Sequence, residues 1–472
     1  MQRKRKGLII ALIITAVIIA IAVVFTILFF TTDIFKNGQQ AFLQAMSKNI
    51  EMFNTLSNEN IITQEDFRNT YSYNSTGTIN GTISQGTVTQ NVTLKTTARR
   101  DANTERYYAD IALQNAGQDI LKYSYIECND VYAIKCDDVL ANYVGIRNSD
   151  LKEYARKIGV SEEEINNIPE QIDFEVLKGA FNLSEEEKEQ LQSIYLDTIT
   201  NSIPQEKFQK AGKESITVNN LSCNANKYTL TLNGEEIKKL LINFLNTAKS
   251  DEISMNILAK LQNALTSNVD TTLITNDIEN LVTKIENDET IANTTLTMNI
   301  YSYKGNPIKT IVDISTIGKI TIDTDKNTQS VTVLTERYDD IGNINLTSQV
   351  TISKGNYNDN VVYNFEIIPN TLDIGQKLNV MIQLGNTTDT GYTNTYEVLI
   401  QNGENNTINL QYDVEVLASE TVEEIQELTD SNSIIFNNYS IEELTPFITA
   451  YIQQNSTLIL NRLSSIDTTT VN

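Results

Sequence analysis

The sequence contains neither histidine nor tryptophan, and it has only three cysteines among its 472 residues. The missing histidine excludes the Ser-His-Asp and Cys-His arrangements of hydrolases and the HExxH zinc site of metalloproteases. It also removes the imidazole that most often serves as a general base near neutral pH. An enzyme built on this chain needs carboxylates, lysine, tyrosine or a bound metal.

The three cysteines do not predict a disulfide framework, because three thiols leave at least one unpaired. The segment IECNDVYAIKC reads as a hairpin that turns at Asn129-Asp130 and places Cys128 opposite Val131. Cys136 then lies about five residues further along the strand, roughly 17 Å away at ~3.3 Å per residue, which is far beyond disulfide reach. A link between Cys136 and Cys223 stays open.

Basic residues cluster at the N-terminus, where residues 3–6 read RKRK and are followed by an apolar run over residues 7–30. Only Thr15 and Thr26 interrupt this run, which as a helix of ~1.5 Å per residue spans roughly 36 Å and crosses a ~30 Å hydrocarbon core. A cleaved signal peptide is the alternative, but its apolar region is only about 7–15 residues long. We predict a cytoplasmic stub and a single membrane anchor over residues 1–32, with the remaining chain extracytoplasmic by the positive-inside rule.

The chain is strongly acidic, with 36 basic and 60 acidic residues and a net charge of −24. Without the four basic residues of the stub, 32 basic residues face 60 acidic ones, a net charge of about −28. Nucleic acids and anionic membrane surfaces both require basic patches, so the composition argues against both as partners. The simplest reading is a solvated acidic surface.

The pattern of apolar residues predicts two strand regions separated by helices. Residues 33–210 are expected to contain an amphipathic helix, a smaller antiparallel sheet (about 71–136) with apolar residues at every second position, and helices that begin after Ser161 and Ser184. Acidic residues follow each of these caps, as suits the positive end of a helix dipole.

Regular alternation returns in the second half of the chain. Residues 211–418 are expected to begin with helices, one of them capped by Asn233, and to continue with some nine strands over residues 294–417. The tail, residues 419–472, ends in an amphipathic helix whose capping box starts at Ser440. Whether the two strand regions form one sheet or two stays open.

The predicted fold class is α+β, with an N-terminal transmembrane helix followed by one or more large curved antiparallel sheets covered by amphipathic helices. An apolar sheet face must be covered by helices of the chain or by a ligand. If a ligand occupies it, we expect the cavity to be lined by Leu346, Val350, Tyr363, Phe365, Val380, Ile382, Leu410 and Tyr412.

Two short motifs resemble functional sites but are better explained as local structure. Ser149 and Lys152 have the Ser-x-x-Lys spacing of some serine hydrolases, but Asn148 or Ser149 is a natural N-cap for the helix that follows. Residues 323–327, DTDKN, resemble the start of a calcium loop but lack its later glycine and glutamate, which favours a hairpin turn. We predict no catalytic, cofactor-binding or metal-binding residues and no cofactor.

Several segments together resemble a known group of proteins. They are FFTTDIFKNGQQAFLQAM, NDVYAIKCDDVLANYVGIRNSDLKEYARKIGV and YTLTLNGEEIKKLLINFLNTAKSDE, followed by the long alternating region. This order resembles uncharacterised single-pass membrane proteins of low-GC Gram-positive bacteria that carry a domain of unknown function. In outline, a curled sheet closed by helices is similar to the half-barrel of lipoprotein carriers of the LolA and mycobacterial LppX kind.

Three functions are compatible with these observations. The first is a membrane-anchored, extracytoplasmic, non-enzymatic binding module of the cell envelope that holds a lipid or other amphiphile on the apolar side of its sheet. The second is a scaffold with a self-filled core that binds a protein partner, and the third is a carboxylate-based envelope hydrolase. A cavity lined by Ile, Leu, Phe and Tyr favours the first, and converging carboxylates favour the third.

Overall fold

The computed structural model describes a folded region that follows the predicted membrane anchor. No helix within this described part of the chain is long and apolar enough to cross a membrane. The anchor predicted over residues 7–30 lies outside the described residues, as does almost all of the helix predicted after it. The described residues are Phe42, 59–115, 118–136, 142–165, 168, 183–219, 221–265, 271–315, 317–339, 341–371, 375–403, 405–463 and 468–470.

Two compact units divide these residues. Unit 1 contains Phe42 with residues 183–263 and 271–349, and unit 2 contains residues 59–165 and 350–470, each with the gaps given above. Both units combine stretches that are distant along the chain. The segment boundaries drawn from the sequence at residues 32, 210 and 418 stay a prediction.

The helices and strands are numbered along the chain. The helices are α1 (Glu59–Thr70), α2 (Leu151–Lys157), α3 (Glu162–Ile165), α4 (Glu185–Ser202), α5 (Gly234–Ser250), α6 (Glu252–Leu265), α7 (Thr271–Glu286), α8 (Glu289–Ala292) and α9 (Ile441–Leu463). The first strands are β1 (Tyr73–Gln85), β2 (Val88–Asp101), β3 (Arg106–Asn115), β4 (Gln118–Cys128), β5 (Val131–Cys136), β6 (Tyr143–Arg147), β7 (Phe208–Val218), β8 (Leu221–Leu232), β9 (Leu296–Tyr303) and β10 (Asn306–Ile314). The others are β11 (Gly318–Asp325), β12 (Ser330–Tyr338), β13 (Ile344–Tyr357), β14 (Asn360–Ile368), β15 (Gln376–Leu384), β16 (Gly391–Asn402), β17 (Asn406–Ala418), β18 (Ser433–Ile435) and β19 (Thr468–Thr470).

Unit 1 packs helices against an antiparallel sheet. Strands β7 to β12 pair in chain order, each with the next. Helices α4, α5 and α6 contribute to a buried cluster with strands β7, β8 and β9, in which Tyr195 stacks on Phe244 with ring centroids 5.5 Å apart. We call this cluster the unit 1 core; its buried members are Phe42, Leu191, Tyr195, Ile199, Ile203, Phe208, Leu230, Leu232, Phe244, Ile253 and Ile300.

Unit 2 contains a large open antiparallel sheet. Its strand order is β14-β15-β16-β17-β1-β2-β3-β4-β5-β6, and β18 adds to β6 in parallel. Strands β1 and β17 pair along their full lengths, from Tyr73 opposite Ala418 to Gln85 opposite Asn406. The first strand region and the end of the second therefore share one sheet, which answers the question left open by the sequence.

The predicted number of strands in the second region is confirmed, as is the large antiparallel sheet, but the division of these strands between the two units was not predicted. Nine described strands, β9 to β17, cover residues 296–418. Strands β9 to β12 lie in unit 1, whereas β14 to β17 join the early strands in unit 2. Alternation tells which face of a strand is apolar but carries no information about which distant strand lies beside it.

The hairpin predicted around the first two cysteines is confirmed. Cys128 pairs with Val131, and the turn residues Asn129 and Asp130 have φ angles of 49° and 64°, as a two-residue type I′ turn requires. Cys128 and Cys136 are buried thiols that are not joined by a disulfide. The hairpin register thus keeps these two sulfurs on separate parts of the sheet.

Local sequence signals also predicted most helix starts correctly. Ser184 and Asn233 form capping boxes with Glu187 and Glu236 at the starts of α4 and α5. At the start of α9 the Ser440 amide donates to Glu443 over 2.8 Å. Each cap satisfies backbone N–H groups that the first helical turn leaves without partners.

Two motif interpretations can be compared with the structure. Helix α2 begins at Leu151 with Asp150 as its N-cap, so the predicted cap at Asn148 or Ser149 is one or two residues too early. The hairpin at residues 323–327 is confirmed, because these residues connect β11 to β12. Asp323 itself lies on the strand and forms an ion pair with Lys309 over 2.8 Å.

Candidate ligand-binding face

One face of the unit 2 sheet is apolar across several neighbouring strands. Side chains alternate between faces along a strand, and directly paired residues of neighbouring strands lie on the same face. We call this surface the apolar face. Its tyrosine row is Tyr363, Ile382, Tyr396, Tyr412, Ile79 and Leu94; its valine row is Phe365, Val380, Val398, Leu410, Gly81 and Val92; its isoleucine row is Ile367, Leu378, Ile400, Ile408 and Ile83.

The register brings together six of the eight residues predicted from the sequence. Tyr363, Ile382 and Tyr412 lie in the tyrosine row. Phe365, Val380 and Leu410 lie in the valine row. Leu346 belongs to unit 1, where it is 43% exposed. Val350 lies on β13 at the start of the second part of unit 2.

Strand β16 supplies two central residues that the sequence interpretation missed. Tyr396 stands between Ile382 and Tyr412, and Val398 stands between Val380 and Leu410. The alternation of Tyr396, Val398 and Ile400 is a signal that could have identified them. Asn394, two positions earlier on the same face, interrupts that signal.

Glycines of β1 make room for two of these side chains. A Cβ atom at Gly77 would lie 2.5 Å from a ring carbon of Tyr412, and one at Gly81 would lie 2.8 Å from a methyl group of Leu410. The Tyr412 ring therefore lies across the bare backbone of β1, where its hydroxyl is 3.1 Å from the Thr96 hydroxyl. The face gains a flat aromatic surface at this point.

Aromatic rings pair along the tyrosine row. Tyr396 and Tyr412 stack with centroids 6.0 Å apart and planes inclined by 23°. Tyr363 and Phe365 stack within β14 at 6.4 Å and 30°. Offset pairs of this kind contribute about 0.5–1.5 kcal/mol beyond the area they bury. They hold the rings in place and do not depend on a covering helix.

Helix α1 covers one end of the apolar face. Its Phe67 packs edge-on against Tyr392 with centroids 5.6 Å apart, and both rings are buried in a cluster with Tyr73 and Val416. Tyr73 and Tyr392 precede the tyrosine row along their strands, and Val416 follows it on the antiparallel strand β17. The cluster therefore closes the α1 end of the face.

A buried polar network fixes α1 on the sheet. The Gln64 amide donates to the Asn394 side chain and to the Gly385 carbonyl, both over 3.0 Å. Asn394 in turn donates to Gln64 over 2.9 Å and to the Tyr396 hydroxyl over 3.0 Å. Because Gln64 and Asn394 are 3% and 4% exposed, loss of either leaves a buried group without its partner.

Helix α9 covers a second part of the face. Leu458 packs against the cluster formed by Leu113, Leu121 and Cys136. The Tyr123 hydroxyl donates to Asn455 of the same helix over 3.1 Å. These contacts lie over β3, β4 and β5, on the far side of β1 from strands β14 to β17.

Apolar side chains elsewhere on this face remain accessible to solvent. Ile111 and Ile134 are 44% and 47% exposed, and Ile400 and Ile83 of the isoleucine row are 41% and 37% exposed. The central residues of the valine row on β15, β16 and β17 are partly buried. A large apolar surface that stays accessible marks a site of interaction in a folded protein.

Tyrosine hydroxyls and arginines lie at the α1 end of the face. Burial, together with nearby Tyr73 and Tyr412, raises the pKa of Tyr107 to about 12. Burial also raises the pKa of Tyr73, on which Arg68 and Arg100 act in the opposite direction. The hydroxyls consequently stay protonated near neutral pH and can donate hydrogen bonds.

A family comparison covers nearly the entire sequence. The model of a family of unknown function, DUF6583, matches residues 1–457. The chain belongs to the DUF6583 family. No curated protein matches the sequence. Membership agrees with the resemblance to proteins carrying a domain of unknown function, and it brings no catalytic or binding residues from relatives to this DUF6583 chain.

The face of β16, β17, β1 and β2 that lies opposite the apolar face is polar in this DUF6583 member. It contains a cavity of about 540 Å³ with Lys95, Asp413 and Glu415 in its lining. Thr395 donates to Asp413 over 2.7 Å. This cavity differs in character from the apolar cavity expected of a lipid carrier, so the apolar face and the polar cavity are separate candidate sites.

A strap packs on the same side of the sheet beyond this cavity, where its Ile425 belongs to a buried apolar cluster with Ile126 and Val131. Residues 419–432 follow β17, and their Glu423 forms an ion pair with Arg99 over 3.1 Å. Arg106 pairs with Glu427 and donates to the Ile425 carbonyl over 3.1 Å. The arginines on this face are thus bound by carboxylates of the chain itself.

Carboxylates of the described residues do not assemble into a metal site. Within that part of the chain no group of three or more acidic or cysteine residues is placed to hold a metal ion. Asp110 on the polar face accepts hydrogen bonds from Tyr108 and Ser124 and pairs with Lys122 over 2.8 Å. These interactions lower its pKa although burial opposes them. It has the contacts of a structural carboxylate.

Proposed function

We propose that this DUF6583 protein is a non-enzymatic binding module that holds a lipid or similar amphiphile against the apolar face of unit 2. The observation that carries the proposal is the continuous apolar surface made by three rows of side chains, with accessible isoleucines beside it. Helices α1 and α9 contact its two sides and leave the valine row partly exposed.

The dimensions of the face suit an acyl chain. The six steps of β1 from Gly77 to Ile83 span about 20 Å at ~3.3 Å per residue. Half of a hydrocarbon core is about 15 Å deep, so one chain fits along the strand. Each methylene group removed from water contributes about 0.8 kcal/mol, which makes a chain of this length a sufficient source of affinity.

A membrane tether supports the same proposal. The RKRK stub and the apolar run over residues 7–30 have the composition of an uncleaved anchor. Such an anchor keeps the binding face within reach of a bilayer from which an amphiphile is taken. The single-pass topology, the extracytoplasmic position of unit 2 and an origin in the envelope of a Gram-positive bacterium are parts of this proposal.

The absence of tryptophan from the sequence provides a sharp test. The consecutive residues Val398 and Leu399 of β16 lie on opposite faces of the sheet, and both are partly buried. Val398→Trp places a single fluorophore on the apolar face, and Leu399→Trp places the matched control on the polar face. The full chain is purified in mild detergent and mixed with phospholipids that carry bromine atoms on their acyl chains.

We expect the brominated lipids to quench Val398→Trp and to leave Leu399→Trp nearly unchanged. Native mass spectrometry of the parent protein should then show one added mass of lipid size. Equal quenching of both fluorophores would indicate only unspecific contact with detergent micelles. Absence of quenching at Val398→Trp, in a protein that folds, would contradict the binding module.

A protein-binding scaffold is the second candidate, and the polar cavity favours it. Threonines, Lys95, Asp413 and Glu415 offer hydrogen bonds and charges to a protein partner. A photoreactive side chain at Thr97 probes this cavity, and one at Val398 probes the apolar face. Protein-sized adducts at Thr97 favour the scaffold, whereas lipid-sized adducts at Val398 favour the binding module.

A further inference from the structure

We infer that the amphiphile held by unit 2 is an anionic phospholipid whose head group binds at Arg68 and Arg100. This inference rests on the function proposed above and specifies its ligand. The two arginines lie at the α1 end of the apolar face, and their charges both act on the hydroxyl of Tyr73. They provide a cationic end to a surface that is otherwise apolar.

The strand register places Arg100 on the same face as the rows. Arg100 pairs with Tyr73 on one side and Tyr107 on the other, and it follows Leu94 of the tyrosine row by six residues, an even number. Arg68, in the last turn of α1, donates to the Tyr392 hydroxyl over 2.9 Å. Both guanidinium groups therefore belong to the apolar face.

The hydrogen-bonding capacity of these arginines is largely unused within the described residues. Arg68 donates to the Tyr392 hydroxyl and Arg100 donates to the Tyr71 carbonyl over 3.2 Å, and neither forms an ion pair with a described carboxylate. A guanidinium group has five N–H donors in a planar fork that matches the oxygen atoms of a phosphate. Arg99, which follows the opposite face, is neutralised by Glu423.

The surface between the arginines and the tyrosine row is flat and open. Ser75, Ala98 and Ala109 pair across β1, β2 and β3, and their short side chains leave space above the sheet. Ile111 beside them is 44% exposed. Six residues separate Arg100 from Leu94, about 20 Å at ~3.3 Å per residue. Half of a bilayer with its head groups measures about 20–22 Å, so a lipid bound at Arg100 reaches the tyrosine row.

The acidic character of the whole chain does not prevent this local attraction. Charges further away than about 8 Å are largely screened at physiological ionic strength. Glu127 is the acidic group that faces this end of the sheet, where it pairs with Tyr107. Burial raises the pKa of Glu127, and the charge of Arg100 acts in the opposite direction.

The test uses the Val398→Trp protein and two brominated probes, phosphatidylglycerol and phosphatidylcholine. Arg100→Gln and Arg68→Gln each remove one charge, and Arg100→Lys keeps the charge without the planar fork. Arg99→Gln is the matched control, because it removes the neighbouring charge from the opposite face. Circular dichroism confirms the fold of each variant, and the two arginines are tested separately so that one variant suffices if the other unfolds.

We expect phosphatidylglycerol to bind more tightly than phosphatidylcholine, and each Gln variant to weaken only phosphatidylglycerol, by about tenfold. Arg99→Gln should change neither lipid, and Arg100→Lys should retain part of the preference. Equal binding of the two lipids, or equal losses for both in the Gln variants, overturns the head-group assignment and leaves the binding module intact. Quenching by neither lipid overturns the proposed function itself, and the inference with it.

Discussion

Unit 1 and unit 2 both contain strands with alternating apolar residues, but helices cover the apolar side of these strands to different extents. In unit 1, helices α4, α5 and α6 pack on β7, β8 and β9, and Ile300 at the centre of the sheet is 0% exposed. In unit 2, the corresponding strands carry a valine row that is partly exposed and isoleucines that are about 40% exposed. In unit 1 helices of the chain cover the apolar side of these strands, whereas in unit 2 apolar side chains stay accessible.

The difference shows that the alternation of apolar residues along a strand does not determine whether helices of the chain cover its apolar side. A row of alternating Ile, Leu and Tyr gains about 1.5–3 kcal/mol per buried side chain whether a helix or a ligand covers it. Whether a helix of the chain covers such a row depends on which helices are long and apolar enough to lie across the sheet. Comparing substitutions in the two units therefore measures how far each apolar surface is covered by the protein itself.

The largest contrast is expected between two phenylalanines. Phe244 in the unit 1 core is 6% exposed and stacks on Tyr195, so Phe244→Ala should lower the free energy of unfolding by about 3–5 kcal/mol. Phe365 in the valine row is partly exposed, so Phe365→Ala should cost less than about half as much. Urea unfolding measures both. Equal costs would show that the apolar face is as fully packed as the unit 1 core.

The second prediction concerns the helix that does cover part of unit 2. Gln64→Ala removes the donor to Asn394 and Gly385 and leaves buried groups unsatisfied, at a cost of about 1–3 kcal/mol. Exposed Gln85→Ala serves as the control and should be nearly neutral. Thermal unfolding gives the stability, and hydrogen exchange over residues 59–70 should accelerate in Gln64→Ala. Unchanged exchange there would show that other contacts hold α1.

The third prediction tests the glycines beneath the tyrosine row. Gly77→Ala forces the Tyr412 ring to move and should destabilise unit 2 by of order 1 kcal/mol. Gly355→Ala on β13 is the matched control, because its added methyl group meets no atom within 4 Å. Thermal unfolding compares the two. If Gly77→Ala is no worse than Gly355→Ala, the ring moves freely and the flat aromatic surface is not fixed.

The smallest effect is expected at high pH. The pKa of Tyr107 is raised to about 12 in the folded protein, above the value of about 10 for an unfolded chain. Its stabilising contribution is therefore complete below pH 10 and is lost as the pH rises toward 12. Tyr107→Phe should flatten the stability profile in this range, whereas Tyr357→Phe, at a position 63% exposed, should leave it unchanged. Parallel profiles for both variants would show that Tyr107 is not enclosed.

Features decided by a few neighbouring residues could be predicted from the sequence. The capping boxes at Ser184 and Asn233 depend on spacings of three residues, and the turn at Asn129-Asp130 depends on two residues that adopt positive φ angles. The alternation of β14 and β15 also identified which side chains share a face. These predictions use only local geometry, so the rest of the fold could not disturb them.

Features that depend on distant partners could not be predicted. Nothing near Ile79 indicates that Tyr412 lies beside it, and nothing near Leu346 indicates that it belongs to unit 1 while Val350 belongs to unit 2. The cationic end of the apolar face was missed for the same reason, since Arg68 and Arg100 are ordinary surface residues in the linear sequence. Helix and strand bring them together around Tyr73.

The pairing of β1 with β17 has a consequence for biosynthesis. Tyr412 reaches its place opposite Ile79 only after about 330 further residues have been made, since the two strands lie at opposite ends of unit 2 in the chain. At ~5–20 residues per second this takes roughly 15–65 s. During that time one edge of β1 has no partner, and an unpaired strand edge is a template for association with other chains. Chaperones are therefore most valuable to this protein before its last strands appear.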